Sequence, residues 1–396
     1  MRPELLNSFL SKIKGGFMTK KLFFSLASVT LIAILLASCV KNIPQNNCSQ
    51  DELVATVTTF ASGLNNPRGL TFGPDGNLYV AEGGTGGTNS TDGQCDQVIP
   101  PVGPYTGSAD GARIMKVNRN GELVTVAEKL PSSQTAPTQG SLVSGVADVA
   151  FIGTTLYGVL SGAGCSHGVA STPNGIVKVH HDKTWELIAD LSAFQKANPV
   201  KNPEPDDFEP DGTWYSMISL NGTLFALEPN HGELVRVDTK GNISRVVDIS
   251  ATQGHIVPTA MVFHNGNFYV GNLNPFPITG NSSVYKITPA GDVSVVATGF
   301  NAILGIEFDR ADGMYVLENT TGNPFPTPGT GDVIRIDHSG ARRAIVTGLN
   351  LPTAMAFGPD NKLYISNWGF GPPAIGGGEI LKVSFSCAND QSPEKH

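Results

Sequence analysis

Asn66-Pro67-Arg68-Gly69-Leu70-Thr71-Phe72-Gly73-Pro74-Asp75-Gly76-Asn77-Leu78-Tyr79-Val80 is a phrase that returns far along the chain as Leu351-Pro352-Thr353-Ala354-Met355-Ala356-Phe357-Gly358-Pro359-Asp360-Asn361-Lys362-Leu363-Tyr364-Ile365. Each is an alternating apolar run, a Gly/Asn/Asp turn and a second run ending in an aromatic and a β-branched residue. That pattern describes two antiparallel strands joined tightly. Four looser copies lie between, around Val146 to Tyr157, Met217 to Ala226, Pro258 to Val270 and Leu304 to Val316. The copies recur at roughly 40 to 80 residues, unevenly because the loops differ in length, and so read as a repeat architecture.

A third alternating run follows every copy, at Arg113 to Val117, Ile176 to Val179, Leu234 to Val237, Val284 to Ile287, Val333 to Ile336 and Ile380 to Val383. Five of them lead through a polar turn into a fourth run, beginning at Leu123, Trp185, Ile243, Val293 and Arg343. The sixth leads only into a polar stretch, while an orphan run, Leu53 to Phe60, precedes the first copy. Lending that run to the last unit predicts an all-β fold, a six-bladed β-propeller over residues 53–387. Its N-terminal strand completes the last blade and leaves no inner edge open. Residues 388–396 read as a polar tail. Cys48 and Cys387 flank the two closing strands, where a disulfide would stand in for a hairpin turn. Cys95 and Cys165 fall in loops of neighbouring blades, open either to a second bridge or to two free thiols.

From Met18 the chain reads Met-Thr-Lys-Lys, then an apolar stretch from Leu22 to Leu36, then Ala37-Ser38-Cys39. A charged start, an apolar core short for a membrane span and small residues before a cysteine describe an export signal over residues 1–38, with Met18 as the true start. Leu36-Ala37-Ser38-Cys39 looks like a bacterial lipobox, which implies a lipidated Cys39 followed by a polar tether to residue 52. The other reading is an uncleaved membrane anchor with an incidental cysteine. Two acyl chains anchor stably, so the expectation is a lipid-anchored protein of the bacterial cell envelope, on the outer membrane and in an oxidising compartment. The chain carries 26 Lys and Arg against 34 Asp and Glu, net −8, and loss of residues 1–38, themselves net +4, takes it to −12. An acidic domain of this kind, expected as a monomer, is a poor partner for nucleic acid.

Turns joining first to second and third to fourth strands are short. Nearly all extra length lies in the other connections: residues 83–111, 161–175, 190–213, 273–282, 319–331 and 368–378. Blade geometry puts these on one face, and long loops on a rigid scaffold are where binding usually resides. Asn274-Pro275-Phe276-Pro277 and Asn323-Pro324-Phe325-Pro326 occupy equivalent loops of adjacent blades, and the next blade offers Trp368-Gly369-Phe370. Phe276, Phe325, Trp368 and Phe370 are therefore candidate contacts for a flat apolar ligand or a protein partner, or else they pack the loops on one another. At the ends of the second strands the aligned residues are Glu82, Leu160, Glu228, Asn272, Glu318 and Asn367. Five polar groups in a ring admit a divalent cation such as Ca²⁺, or else hydrogen-bond the backbone of the following loop. No other cofactor, no dedicated metal motif and no catalytic set is legible. The acidic stretch Glu204 to Gly212 lacks alternate-ligand spacing and reads as a solvated connector. His231 reads as a turn residue. His167 and His255 reach the long-loop face without an evident partner.

The phrase from Gly63 to Glu82 with its Gly-rich loop, the Pro-Phe-Pro loops and the connector Asp190-Leu191-Ser192-Ala193-Phe194 together resemble the ScyD/ScyE family. That family takes its name from a cluster for scytonemin, an indole-derived pigment, and its members look like exported six-bladed propellers of the NHL/gluconolactonase-like group. The resemblance spans residues 53–385; the lipobox and the Cys48/Cys387 pair depart from it. Three functions follow as expectations: a non-catalytic binding or scaffold propeller, a metal-dependent lactonase or esterase, and an accessory enzyme of aromatic metabolism. In related propellers a divalent ion is held by Glu, Asn and Asp of the inner strands. Here those strands carry only Asp148 and Glu307 as acids, too few for that site.

Overall fold

The computed structural model describes residues 53–371 and 376–388. The export signal, Cys39, the tether, Cys48 and most of the polar tail lie outside the described residues. Six antiparallel sheets make up the fold. Written from the inner strand outward, the first blade is Pro67–Phe72, Leu78–Glu82, Thr106–Val117 and Leu123–Gln134, with a fifth short strand Val143–Ser144. The second is Val146–Ile152, Thr155–Leu160, Gly175–Val179 and Trp185–Asp190, and the third Ser216–Leu220, Thr223–Glu228, Glu233–Val237 and Ile243–Asp248. The fourth is Pro258–His264, Asn267–Asn272, Ser282–Ile287 and Val293–Phe300, and the fifth Ile303–Phe308, Met314–Glu318, Gly331–Ile336 and Arg342–Leu349. The sixth is Ala354–Phe357, Leu363–Asn367 and Gly378–Cys387, completed by the N-terminal strand Leu53–Leu64.

The closing strand pairs antiparallel with the last one from Leu53 opposite Cys387 to Leu64 opposite Gly378. The ring therefore closes through backbone hydrogen bonds between its two ends, as the orphan run requires. Alternate residues of each blade face its neighbours. Leu70, Val149, Met217, Met261, Ile306 and Met355 are buried one per inner strand, and the apolar clusters bridge adjacent blades. Each large aliphatic side chain buried this way contributes about 1.5 to 3 kcal/mol.

Two long connections carry more structure than the repeat implies. In the first blade the third and fourth strands run past the blade as a hairpin, Thr106 opposite Gln134 and Ser108 opposite Ser132, so part of the loop 83–111 is strand. The connector after the second blade forms a short helix, Leu191–Ala197, capped by Asp190 accepting from the Ala193 N–H at 2.8 Å. Both features come from side-chain capping and strand extension in segments whose composition is that of loops.

Candidate functional site

The strand-end ring is built into the scaffold. Glu82 accepts from the backbone N–H of Asn65 at 2.9 Å and from Arg113 Nε at 2.7 Å. Glu228 accepts from the Thr213 N–H at 2.9 Å, Glu318 from Asn301 at 2.5 Å, and Asn367 from Asn350 at 2.8 Å. Asn272 donates to the Ile256 carbonyl at 2.8 Å and accepts from the Ser283 N–H at 2.7 Å. In five blades the same position thus ties the second strand to the segment entering the same blade. The second blade has buried Leu160 there, and Asn174 bridges the Ala163 N–H and the Gly212 carbonyl instead. Burial pushes the Glu318 carboxyl up to about 7, against hydrogen bonds from Asn301 that favour the ion. Among the described residues no group of three or more His, Cys, Asp or Glu is arranged to hold a metal ion. The donor set does not fit the divalent centre that the gluconolactonase-like group implies.

The aromatic loops come together in part. Phe276 and Phe325 lie with ring centroids 6.4 Å apart, and their loops are tied by the Ile278 N–H donating to the Pro324 carbonyl at 3.0 Å. Phe325 is 58% exposed and Trp368 37% exposed. Phe370 turns inward instead, over the guanidinium of Arg68 at 5.8 Å.

The acidic stretch is packed only in its second half, from Glu209 on; Pro205, Asp206 and Phe208 are exposed, as a solvated connector would be. Asp207 pairs with His255 Nε2 at 2.8 Å, Asp211 with Lys196 Nζ at 2.7 Å, and Glu209 accepts from the Tyr105 hydroxyl at 2.6 Å. His231 is buried as well, its Nε2 against the Glu209 carbonyl and its ring against Phe208. His167 lies 2.9 Å from Ser133 Oγ through Nδ1 and 3.6 Å from Glu209 through Nε2. Burial lowers His167 to about 4, so its ring is neutral at neutral pH, and raises the Glu209 carboxyl above the ordinary carboxylate value. Ser133, His167 and Glu209 follow one another by these contacts, and all three are buried. Sequence reading missed this set because Ser133 and Glu209 are distant in the chain and sit among ordinary loop residues. The Cys95–Cys165 disulfide pins it, and Cys387 is disulfide-bonded too.

A cavity of about 470 Å³ runs along the axis, lined by all six inner strands. Its polar lining includes Thr71, Asp148, Ser216, Ser219 and Glu307. Asp148 accepts from the N–H groups of Met217 and Val149, both at 2.8 Å, and from Ser216 Oγ at 3.4 Å. Burial still pushes it up to about 7. Burial likewise takes Glu307 up to about 8, eased only by the Phe308 N–H. It lines the cavity and is half-buried. On the long-loop side the axis is roofed. Tyr215 of the third blade donates to the Thr353 carbonyl of the opposite blade at 3.4 Å, while Arg68, 5% exposed, donates to Tyr215 and the Val143 carbonyl beneath Phe370. Toward the short-turn face the lining keeps more exposure: Ser219 is exposed and Phe72, Phe151 and Phe357 are half-buried. The cavity therefore opens away from the decorated face.

No protein-family profile matches the chain, and no curated protein does. Among solved structures it is similar to a gluconolactonase of Xanthomonas campestris, 11% identical with TM-score 0.52, over 84% of this chain and 90% of that one. A Bacteroides thetaiotaomicron protein of unknown function matches with 12% identity and TM-score 0.52, over 85% and 77%. These structures share its fold. At this identity the likeness shows the fold alone, a β-propeller. A virginiamycin B lyase of Staphylococcus aureus, 13% identical with TM-score 0.42 over 84% and 99%, is too distant to carry an argument. The ScyD/ScyE resemblance rests on the sequence phrases.

Proposed function

We propose that this chain is a non-catalytic binding propeller of the bacterial cell envelope, carried on an N-terminal lipid, that takes an aromatic small molecule on its long-loop face. The observation that carries the reading is the exposed Phe325 on a loop locked to the Phe276 loop by a backbone hydrogen bond. Two proline-stiffened loops hold aromatic surface in water, and a rigid aromatic anchor binds at little entropic cost. The gluconolactonase-like fold favours a metal-dependent hydrolase as the second reading, but the donor chemistry of the channel does not support it.

Calorimetric titration of the full-length chain with indole tests the proposal. Saturable binding that Phe325→Ala weakens by about tenfold is expected, corresponding to about 1.4 kcal/mol. Elemental analysis after dialysis, with melting before and after chelator, separates the alternatives. One divalent ion per chain and a chelator-sensitive melt would sink the non-catalytic reading and direct the search to lactone and ester substrates.

A further inference from the structure

We propose that the seam between the first and last blades carries a second binding site, for a small flat aromatic carboxylate, entered from the short-turn face. A cavity of about 300 Å³ lies there, at the lower end of the roughly 300 to 1,000 Å³ range of small-molecule sites. Its apolar wall is Phe60 of the lent strand, Tyr364 of the last blade, and Phe72, Leu78 and Val117 of the first. Tyr364 stands edge-on between Phe60 and Phe72, with each ring centroid 5.1 Å from its own. Phe60 and Phe72 are only half-buried, so aromatic surface is left for a flat ring to cover.

The polar rim selects the charge of the ligand. Arg119, Lys382 and Asp360 line the cavity, two cations against one carboxylate. Asp360 is committed: it pairs with Lys382 Nζ at 3.0 Å and accepts from the Tyr364 hydroxyl at 3.1 Å. Lys382 is held as well, its ammonium over the rings of Phe60 and Tyr364. Arg119 has no hydrogen-bond or ion-pair partner among the described residues. The carboxylates of the turns beside it are taken, Asp75 by Asn77 and Tyr79, and Glu122 by Asn118. Gly76 makes the room: its φ of 73° suits a residue without a side chain, and a Cβ there would come within 2.9 Å of Arg119 Nη2. A planar guanidinium beside an apolar wall takes a carboxylate in a bidentate pair. A cationic ligand would meet two positive groups and no free acid. The whole chain is net −8, so general attraction for anions does not supply the binding. The site shares no residue with the aromatic loops of the other face and stands or falls independently of them.

Calorimetric titration of the full-length chain at neutral pH with 2-naphthoate and with 2-naphthylmethanol tests the assignment. The acid is expected to saturate, with the neutral alcohol of the same ring at least about tenfold weaker. Its affinity is expected to fall as salt rises from about 0.01 to about 0.15 M, since the guanidinium is open to water. Arg119→Gln removes the charge from an exposed turn and is expected to weaken the acid by at least about tenfold with an unchanged melting temperature. Phe325→Ala is expected to leave the affinity as it is. No saturation by the acid, equal affinity for acid and alcohol, unchanged affinity in Arg119→Gln, or loss of binding in Phe325→Ala would each overturn the proposal.

Discussion

A methyl group on Gly69 would sit 1.9 Å from the Asp148 carboxylate and 2.8 Å from its Cα, so the first blade leaves bare backbone where the second inserts an acid. Such close approach is what a residue without a side chain permits. Both channel acids stood out in the sequence as the only carboxylates on inner strands, but their opposite situations did not. Asp148 meets the Met217 N–H of the adjacent third blade as well as that of Val149, while Glu307 has only the N–H of its next residue, Phe308. Their titration has a consequence for stability. Burial raises Asp148 and Glu233 to about 7 and Glu307 to about 8, so the folded chain keeps protons that the unfolded chain has released. Stability then falls as pH rises through those values. His167, lowered to about 4 from 6.5, acts in the opposite sense, but only below about 6.5. Scanning calorimetry is therefore expected to show a melting temperature that declines from about pH 6.5 to about 8, and a shallower decline in Glu307→Gln. A melting temperature that climbs over that interval would contradict the assignment.

At the scale of strands and loops, the recurring device is the latch from the end of the second strand to the segment entering the same blade. The polar identity of its acceptors was legible because the repeats align on Glu82, Glu228, Asn272, Glu318 and Asn367. Their partners Asn65, Thr213, Ile256, Asn301 and Asn350 were not, since backbone groups donate or accept and any residue type supplies them. Glu82 also pairs with Arg113, one-third exposed, so part of the charge interaction is screened by water. Glu82→Ala leaves the Asn65 N–H without its acceptor and is expected to cost about 1 to 3 kcal/mol in urea denaturation. A loss below about 0.5 kcal/mol would mean that water replaces the carboxylate and the latch contributes little. The packed half of the acidic stretch teaches the same lesson from the other side. Glu209 and Asp211 look like solvated loop residues until Tyr105, Lys196 and Ser166 arrive from three separate segments.

For the molecule as a whole, closure is the decisive event. The N-terminal strand pairs with the last, and the Cys95–Cys165 bridge staples the first two blades over a separation of 70 residues. Cross-linking a loop of that length stabilises by about 2 to 4 kcal/mol, mainly by restricting the unfolded chain. The double variant Cys95→Ser, Cys165→Ser is expected to melt at lower temperature than the parent chain, and equal melting of the two would show the bridge to be energetically idle. By itself the sequence determined the number of blades, their strand order, the lent strand and the split into short-turn and long-loop faces, because period-two alternation and turn chemistry are local and repeat six times. Tertiary structure alone decided which end of the axis is open and which aromatic turns inward. Those properties depend on side chains from opposite blades, Tyr215 against Thr353 and Arg68 beneath Phe370, meeting across a ring that exists only once its ends have joined.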